Sequence, residues 1–550
     1  MRSNFGGSDT GALAIQAPSG FSGVVKSAPN ITTGTAWSAA TGGTQYTDMV
    51  LVGGGPSTVV LTDANGFVSA FQGPDGVNEG LWVDLGSGRF YLRTTDSLTA
   101  VAATDAAAQI AAQATLDSAT YGRVAQHLAP LKTALNTGTQ SCAVQVLGDS
   151  TGVGTYSWPY LLAAGISTDY PAWTVDYKPW NDTLQSYDPA TRIQTGTAGE
   201  RYMDLSAGTY GRRLPLGSVP ALTGIIDVRV KISAATWTPA ATVNLVNKSQ
   251  SPPNWSWAFS LATSAQLMFT ISTDGSALTT ITQFAFVTLP LNTPGWVRVK
   301  FNPNDGAGNR VTTFYQSTDG ITWTTLGTNT TAGAVTLFDA TIANYWLGGG
   351  ASSAAATATK IYEVQVRDGD TGKCVTPCKP DLWSRYGVST DCPVVGAPVL
   401  TMLSGSMSGA GITYLGDATR LPKMTPDYGQ VLTLLSDGHN ETWAQGAYWQ
   451  SIYAAWVTAV KARLPVAPAV GIAQNPERTA TMYWSEDASR RLGLLAFARA
   501  LGIGVIDVFK AFTDYGNWQV DLMNDDIHPN AALGYPLWTT TIKNLLDKSV

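Results

Sequence analysis

The tripeptide Gly148-Asp149-Ser150 follows an apolar run over 144–147 and precedes the small residues Thr151 and Gly152. A short apolar run closed by glycine reads as a buried strand ending in a turn. A serine at such a strand end has two readings. It is either a helix cap or a nucleophile, and a nucleophilic serine needs a general base that is itself held in place. The chain has only three histidines, so the search for a base is short. His127 lies in a helix-forming stretch and His439 lies in "SDGHNE" after an apolar run. His528 lies in "NDDIHPN", with Asp525 three residues before it. A turn of that length folds the carboxylate back onto Nδ1 and leaves Nε2 free for a serine. Asp526 competes for the same role, but its side chain one step along the turn is expected to point elsewhere. The same residues are also turn and capping chemistry, since Asp, Asn and Pro all favour turns.

Acyl transfer by a serine also needs donors aimed at the developing oxyanion. Gly409 in "SGSMSGAG" offers a backbone N–H after an apolar run, and Asn440 in "DGHNE" offers a side-chain amide. Asn181 and Asp182 in "WNDT" are rivals for the Gly409 position. Taken together, a nucleophile, two donors and a His–Asp pair each follow a run that reads as a parallel strand, the edge at which α/β sheets bind ligands.

These four blocks in order, "GDS", "SMSG", "GHN" and "DDIHPN", resemble those of the SGNH (GDSL-type) hydrolases. The resemblance implies that Ser150 is the nucleophile, His528 the base and Asp525 its orienting acid. It implies an oxyanion hole made by the Ser150 and Gly409 N–H groups and the Asn440 amide. Asp149 and His439 are candidate substrate contacts, and neither a cofactor nor a metal is implied. Two departures stand out. Glu441 occupies the place of the usual aspartate after Asn440, and more than two hundred residues separate the first two blocks.

The intervening stretch has its own character. Between about 195 and 385, alternating runs such as "DVRVKIS", "WVRVKFN" and "IYEVQVRDG" are separated by turn signals, the pattern of an all-β sandwich. "GTYGRRLP", "DVRVKIS", "WVRVKFN" and "TFYQSTDGITWTTLG" resemble a concanavalin-like (laminin-G-like) module. Such modules often bind glycans, and Trp237, Trp255, Trp257 and Trp323 are candidates for stacking on sugars, with core packing as the alternative for each. "NPNDGAGN" is a candidate calcium loop whose simpler reading is a polar hairpin turn.

The expected organisation is therefore multidomain: an α/β/α flavodoxin-like hydrolase domain (137–194 and 386–550) interrupted by an all-β jelly-roll sandwich (195–385). A small β domain (1–96) and a helical linker (97–136) precede it. In the linker, Val124, Leu128, Leu131 and Leu135 recur at heptad-like spacing, which suits either packing on the same chain or a trimer seam, and Pro130 is expected to kink it or to divide it into two short helices. The stretch "FQGPDGVNEGLWVDLGSGRFYLRTTD" resembles phage minor tail or tail-fibre proteins. That resemblance implies action at a host surface from a virion tail, other tail proteins as partners, and an acylated polysaccharide or envelope glycolipid as substrate.

Composition narrows the classes. Charged residues make up only 13% of the chain, the net charge is −6 and no basic block exists, so nucleic acid is not an expected partner. No run of about 18 apolar residues suggests a membrane span, and the first residues lack the apolar core of a signal peptide. Of four cysteines, Cys142 reads as core. Cys374, Cys378 and Cys392 suit either a disulfide or reduced thiols, and the "CVTPC" spacing does not suit a zinc knuckle.

Overall fold

The computed structural model describes residues 123–549 apart from 215–221, 223, 250–251, 277–278, 281–284, 339–342, 350–357, 386–390, 442–445 and 479–481. Before residue 123 it describes 4–5, 33–39, 41–51, 56–61, 71–74, 77, 80–84 and 89–93. The chain divides into two compact units, Met1–Ala119 and Thr120–Val550. The first is built of short antiparallel strands around Ala36, Met49, Val60, Phe71, Leu81 and Val83. The helix-forming stretch "DAAAQIAAQATLD" lies outside the described residues.

In the second unit, six strands form a parallel sheet: β1 (Cys142–Gly148), β2 (Thr174–Asn181), β3 (Val399–Ser406), β4 (Gln430–Ser436), β5 (Ala469–Ala473) and β6 (Gly504–Asp507). Their spatial order is 2-3-1-4-5-6. A flavodoxin-like sheet has the order 2-1-3-4-5. Here the chain skips a slot between β1 and β2, and β3 fills that slot. β1 thus lies between β3 and β4, where the direction of the connections reverses, and ligands bind at such a switch point.

The strands are apolar because both faces are covered. Val144, Val146, Leu400, Met402, Leu432 and Leu434 face one layer, containing the helices Trp158–Asp169 and Gly534–Lys548 and a helix over 123–137. Leu147 and Leu435 face the other, containing Gly446–Arg463 and Met482–Leu501. Trp158 and Trp538 stack at 5.7 Å between the first two helices.

The expectations for the helical segment meet different outcomes. The helix over 123–137 runs through Pro130 without a break. Its heptad-spaced Val124, Leu128, Leu131 and Leu135 are buried in the core of the parallel sheet, so the seam faces its own chain. β6 ends at Asp507, whose side chain caps the helix Val508–Thr513.

The strands between 202 and 395 form two antiparallel sheets around one core, with Ile226, Val228, Val299 and Val364 from one sheet against Trp257, Phe259, Phe269 and Tyr345 from the other. Val394–Val395 pairs with Tyr202–Asp204, so these sheets run past the expected boundary at 385. Trp257 and Trp237 are buried, whereas Trp255 and Trp323 are half-buried. Trp323 lies against the guanidinium groups of Arg229 and Arg298. In "NPNDGAGN", the Asp305 carboxylate accepts from the backbone of Ala307 and Asn309 and from the Asn309 amide, closing a polar turn.

Buried charges join this two-sheet region to the parallel sheet. Glu363, on the strand Thr359–Asp368, accepts from Lys178 of β2 (3.2 Å), from Lys379 (3.2 Å) and from the Tyr428 hydroxyl (2.6 Å). The chain of charges continues from Lys379 through Asp176, Arg192 and Glu200 to Lys231. Burial opposes ionisation of Glu363, but Lys178 and Lys379 outweigh it and hold the carboxyl far below the usual range. A carboxyl with a depressed folded-state pKa stabilises the fold above its unfolded pKa, and that stability disappears as pH falls through the folded value. The seam should therefore persist well below pH 4. Glu363→Leu leaves the buried Lys178 ammonium without its acid and Lys379 with only Asp176, and should cost roughly 3–5 kcal/mol in urea unfolding at neutral pH.

Candidate functional site

Gly148 ends β1 with β3 on one side and β4 on the other. The next residue, Asp149, is fully buried and adopts extended backbone (φ −93°, ψ −158°), which turns the chain out of the sheet. Its Oδ1 accepts from the Thr151 N–H (2.9 Å) and hydroxyl (2.7 Å), and its Oδ2 accepts from the Gln474 amide (2.8 Å). The cap of the short 3₁₀ turn Ser150–Gly152 is thus Asp149, not Ser150, which leaves the Ser150 hydroxyl free for other work. A Cβ on Gly152 would stand 2.1 Å from the Ser406 hydroxyl, so only glycine lets this turn lie against β3. No long helix follows directly, because the next α-helix begins at Trp158.

The loop before the last helix brings in the imidazole. A bridge between Met523 and Pro529 closes its base, and the Asn530 side chain accepts from the N–H groups of Leu533 and Gly534 where that helix begins. Inside it, Asp525 Oδ1 accepts from the N–H groups of Ile527 (2.8 Å) and His528 (2.7 Å). The same carboxylate receives His528 Nδ1 at 3.0 and 3.1 Å. Turn chemistry and orientation of the imidazole are therefore one interaction network rather than alternatives. Burial disfavours the Asp525 anion, but the two backbone N–H groups and the imidazole outweigh it, and the carboxyl sits below its ordinary range. With Nδ1–H donating to Asp525, Nε2 is the acceptor for the Ser150 hydroxyl at 2.8 Å. Asp526 points away and pairs with Arg478.

Of the proposed oxyanion donors, Gly409 has φ +74°, a conformation that favours glycine, and its loop is held by Met407 N–H donating to the Gly148 carbonyl (3.0 Å). The Asn440 amide donates to the Ala410 carbonyl (2.8 Å), which places Asn440 beside the Gly409 loop. Glu441, the departure from the family pattern, accepts from the Ile412 N–H, and a Cβ on Gly411 would strike its carboxylate. Glu441 thus laces the Gly409 loop to the Asn440 loop. Arg490 donates to the carbonyls of Gly438 (3.0 Å) and Glu441 (2.7 Å) and fixes the turn between them.

An open cavity of about 490 Å³ lies over the serine, lined by Ser150, Tyr156, Ser408, Asn524, His528 and Tyr535 among others. The Tyr156 ring is 57% exposed and stands 6.0 Å from that of Tyr535. Two expected substrate contacts do not line this cavity. Asp149 is consumed as a cap, and His439 is buried with Nδ1 3.9 Å from Glu477. Asn181 serves its own turn, bonding Asp188 and the Leu184 N–H. His127 is bound to the carbonyls of Arg123 and Gly502.

Sequence reasoning missed Gln474, Arg490, Tyr156 and Asp437. Gln474 in "GIAQN" follows β5 directly, and that position at the end of a parallel strand was an available signal. Tyr156, Arg490 and Asp437 carried no comparable pattern. The Asp437 carboxyl is buried, and desolvation, with Asp149 and Glu441 nearby, pushes it well above the usual range.

No protein-family model and no curated protein matches the chain. Solved structures similar to it include a peptidoglycan O-acetylesterase, at 14% identity over 76% of this chain and 94% of that one, with a TM-score of 0.32. An acetylxylan esterase from Geobacillus stearothermophilus is 14% identical over 27% of this chain and 73% of its own, with a TM-score of 0.23. A member of the lipolytic G-D-S-L family from Veillonella parvula is 16% identical over 27% of this chain and 81% of its own, with a TM-score of 0.24. These are partial likenesses, and the functional reading rests on the geometry of the site.

Asp149→Ala removes the cap of the serine turn and the shortest hydrogen bond of the Gln474 amide, which keeps only the longer ones to the hydroxyls of Ser436 (3.2 Å) and Thr151 (3.3 Å). Loss of the cap alone should cost about 1 kcal/mol, and loss of the Gln474 hydrogen bond to a charged carboxylate about 1.5–3 kcal/mol more. The expected readout is a lower melting temperature by calorimetry, together with a fall in any Ser150-dependent turnover.

Proposed function

We propose that this chain is a serine esterase of the SGNH type. The observation that carries the reading is the continuous line of hydrogen bonds from Ser150 Oγ through His528 to Asp525, opening into a cavity. The Ser150 hydroxyl attacks the ester carbonyl while His528 Nε2 takes its proton. Asp525 holds the imidazole in the tautomer that can accept, and stabilises the imidazolium that forms. The N–H groups of Ser150 and Gly409 and the Asn440 amide receive the oxyanion, a donor set in which each member is commonly worth about 10²–10³ in kcat. His528 then returns the proton to the leaving alcohol. Water repeats the sequence on the acyl-enzyme and releases the acid.

The substrate class proposed is an O-acylated glycan of a cell surface, either polysaccharide or glycolipid. Two features support it: the cavity is open rather than a closed acyl tunnel, and it carries an exposed tyrosine ring of the kind that packs on sugars. A phage tail as the carrier, with other tail proteins as partners, extends the same reading. It is supported by the low charge of the chain and by the resemblance of residues 71–96.

Ser150→Ala should abolish hydrolysis of p-nitrophenyl acetate and labelling by a fluorophosphonate probe, with an unchanged circular dichroism spectrum. Activity retained in that variant would remove the assignment. Asp525→Asn should lower kcat by roughly 10³–10⁴-fold, because the imidazole loses its orienting acceptor. In a series of nitrophenyl esters, a deacetylase should lose kcat/KM beyond a few carbons, whereas rising activity with chain length would favour an envelope lipid.

A further inference from the structure

Far from Ser150, the segment Cys374–Cys378 laces the two-sheet region to the parallel sheet. The Val364 N–H donates to the Cys378 carbonyl (3.0 Å), and the Cys378 N–H donates to the Asp427 carbonyl (2.7 Å) just ahead of β4. The two thiols face each other at 3.8 Å. They differ in access. Cys378 is fully buried among Ala143, Leu403 and Tyr428. Cys374 is half-buried and lines an open cavity of about 410 Å³, whose wall also carries Lys373, Asp427 and Arg463. Of the other cysteines, Cys392 is buried in the core of the two-sheet region, and Cys142 is buried beneath the helices.

We propose that Cys374 and Cys378 form a redox-active dithiol whose substrate is a low-molecular-weight disulfide such as oxidised glutathione, admitted through this cavity. Cys374 is the attacking thiol. The Cys378 S–H donates to its sulfur, the chief influence holding its pKa down to about 7, and the Arg367 guanidinium adds to this. Burial pushes the Cys378 thiol well up, so it is inert until its neighbour has reacted. The attack breaks the S–S bond of the small disulfide, forms a mixed disulfide on Cys374 and releases one small thiol. Cys378, losing its proton, then displaces the second small thiol and closes the Cys374–Cys378 bond. Two protein thiols are oxidised and one small disulfide is reduced. Lys373 and Arg463 supply a cationic rim suited to the carboxylates of a glutathionyl group. None of this depends on the esterase reading.

The test is a thiol count and peptide map of the intact chain equilibrated in glutathione buffers from fully reduced to fully oxidised. Wild type should fall from four free thiols to two, with Cys374 joined to Cys378. Cys378→Ser should stop at the mixed disulfide and gain the mass of one glutathionyl group on Cys374. Cys374→Ser should remain reduced. Four thiols retained by wild type in every buffer would overturn the proposal, as would a bond to Cys142 or Cys392. So would glutathione captured by Cys378 in the Cys374→Ser chain. The wild-type measurement decides the matter even if either variant fails to fold.

Discussion

Strand β1 is hydrogen-bonded on both sides by parallel partners, and its C-terminal end can continue only by leaving the sheet. That constraint organises the site. The chain turns out at Asp149, whose buried carboxylate is committed to Thr151 and Gln474 and so fixes where Ser150 stands. The neighbouring strands end at the same edge: Ser406 at the end of β3 and Ser436 at the end of β4 both lie opposite Gly148. The loops that carry Gly409 and Asn440 grow from those ends. Parallel pairing thus delivers to one place residues that are hundreds of positions apart in the chain.

The loops at this edge are held by unequal means. In the Asp525–His528 loop one carboxylate closes the turn and meets the ring, while Asn475 and the Arg478 N–H hold the carbonyls of Ile527 and Asp526 from outside. The Gly409 and Asn440 loops depend on each other and on more distant support. Asn440 bonds Ala410, Glu441 bonds Ile412, and Arg490 reaches across to the Gly438 and Glu441 carbonyls. The contact between Asp525 and His528 thus lies within one turn, whereas the Gly409 and Asn440 loops share their support among three segments. The two-sheet region is attached differently, through a seam of buried charges around Glu363 and the thiol-bearing segment beside it. Such a seam fixes relative position, since each buried ion tolerates only the geometry that supplies its partner.

Local chemistry was legible in the sequence wherever one short segment held all the parts. The spacing of Asp525 and His528 gave their contact, the apolar runs gave the strands with errors of a few residues, and alternation gave the antiparallel character of the strands between 202 and 395. The errors arose where a local signal was outvoted by packing. Pro130 looked like a kink or a division into two short helices, but one helix, buried along Val124, Leu128, Leu131 and Leu135, continues through it and is not divided. His439 looked like a substrate contact because it neighbours Asn440, yet its ring is buried and does not line the cavity over Ser150.

The sequence by itself determined which residues have the types needed for acyl transfer and the order in which they occur, because reactivity follows side-chain identity and the His–Asp geometry needs only one turn. Tertiary structure alone decided three things: that Ser150 rather than Asp149 is left free, that β3 occupies the slot beside β1, and that Cys374 meets Cys378 rather than Cys392. Each of these turns on competition between groups far apart in the chain for the same partner or the same space. No spacing rule encodes such a competition, since its outcome depends on which contacts the whole sheet can satisfy at once.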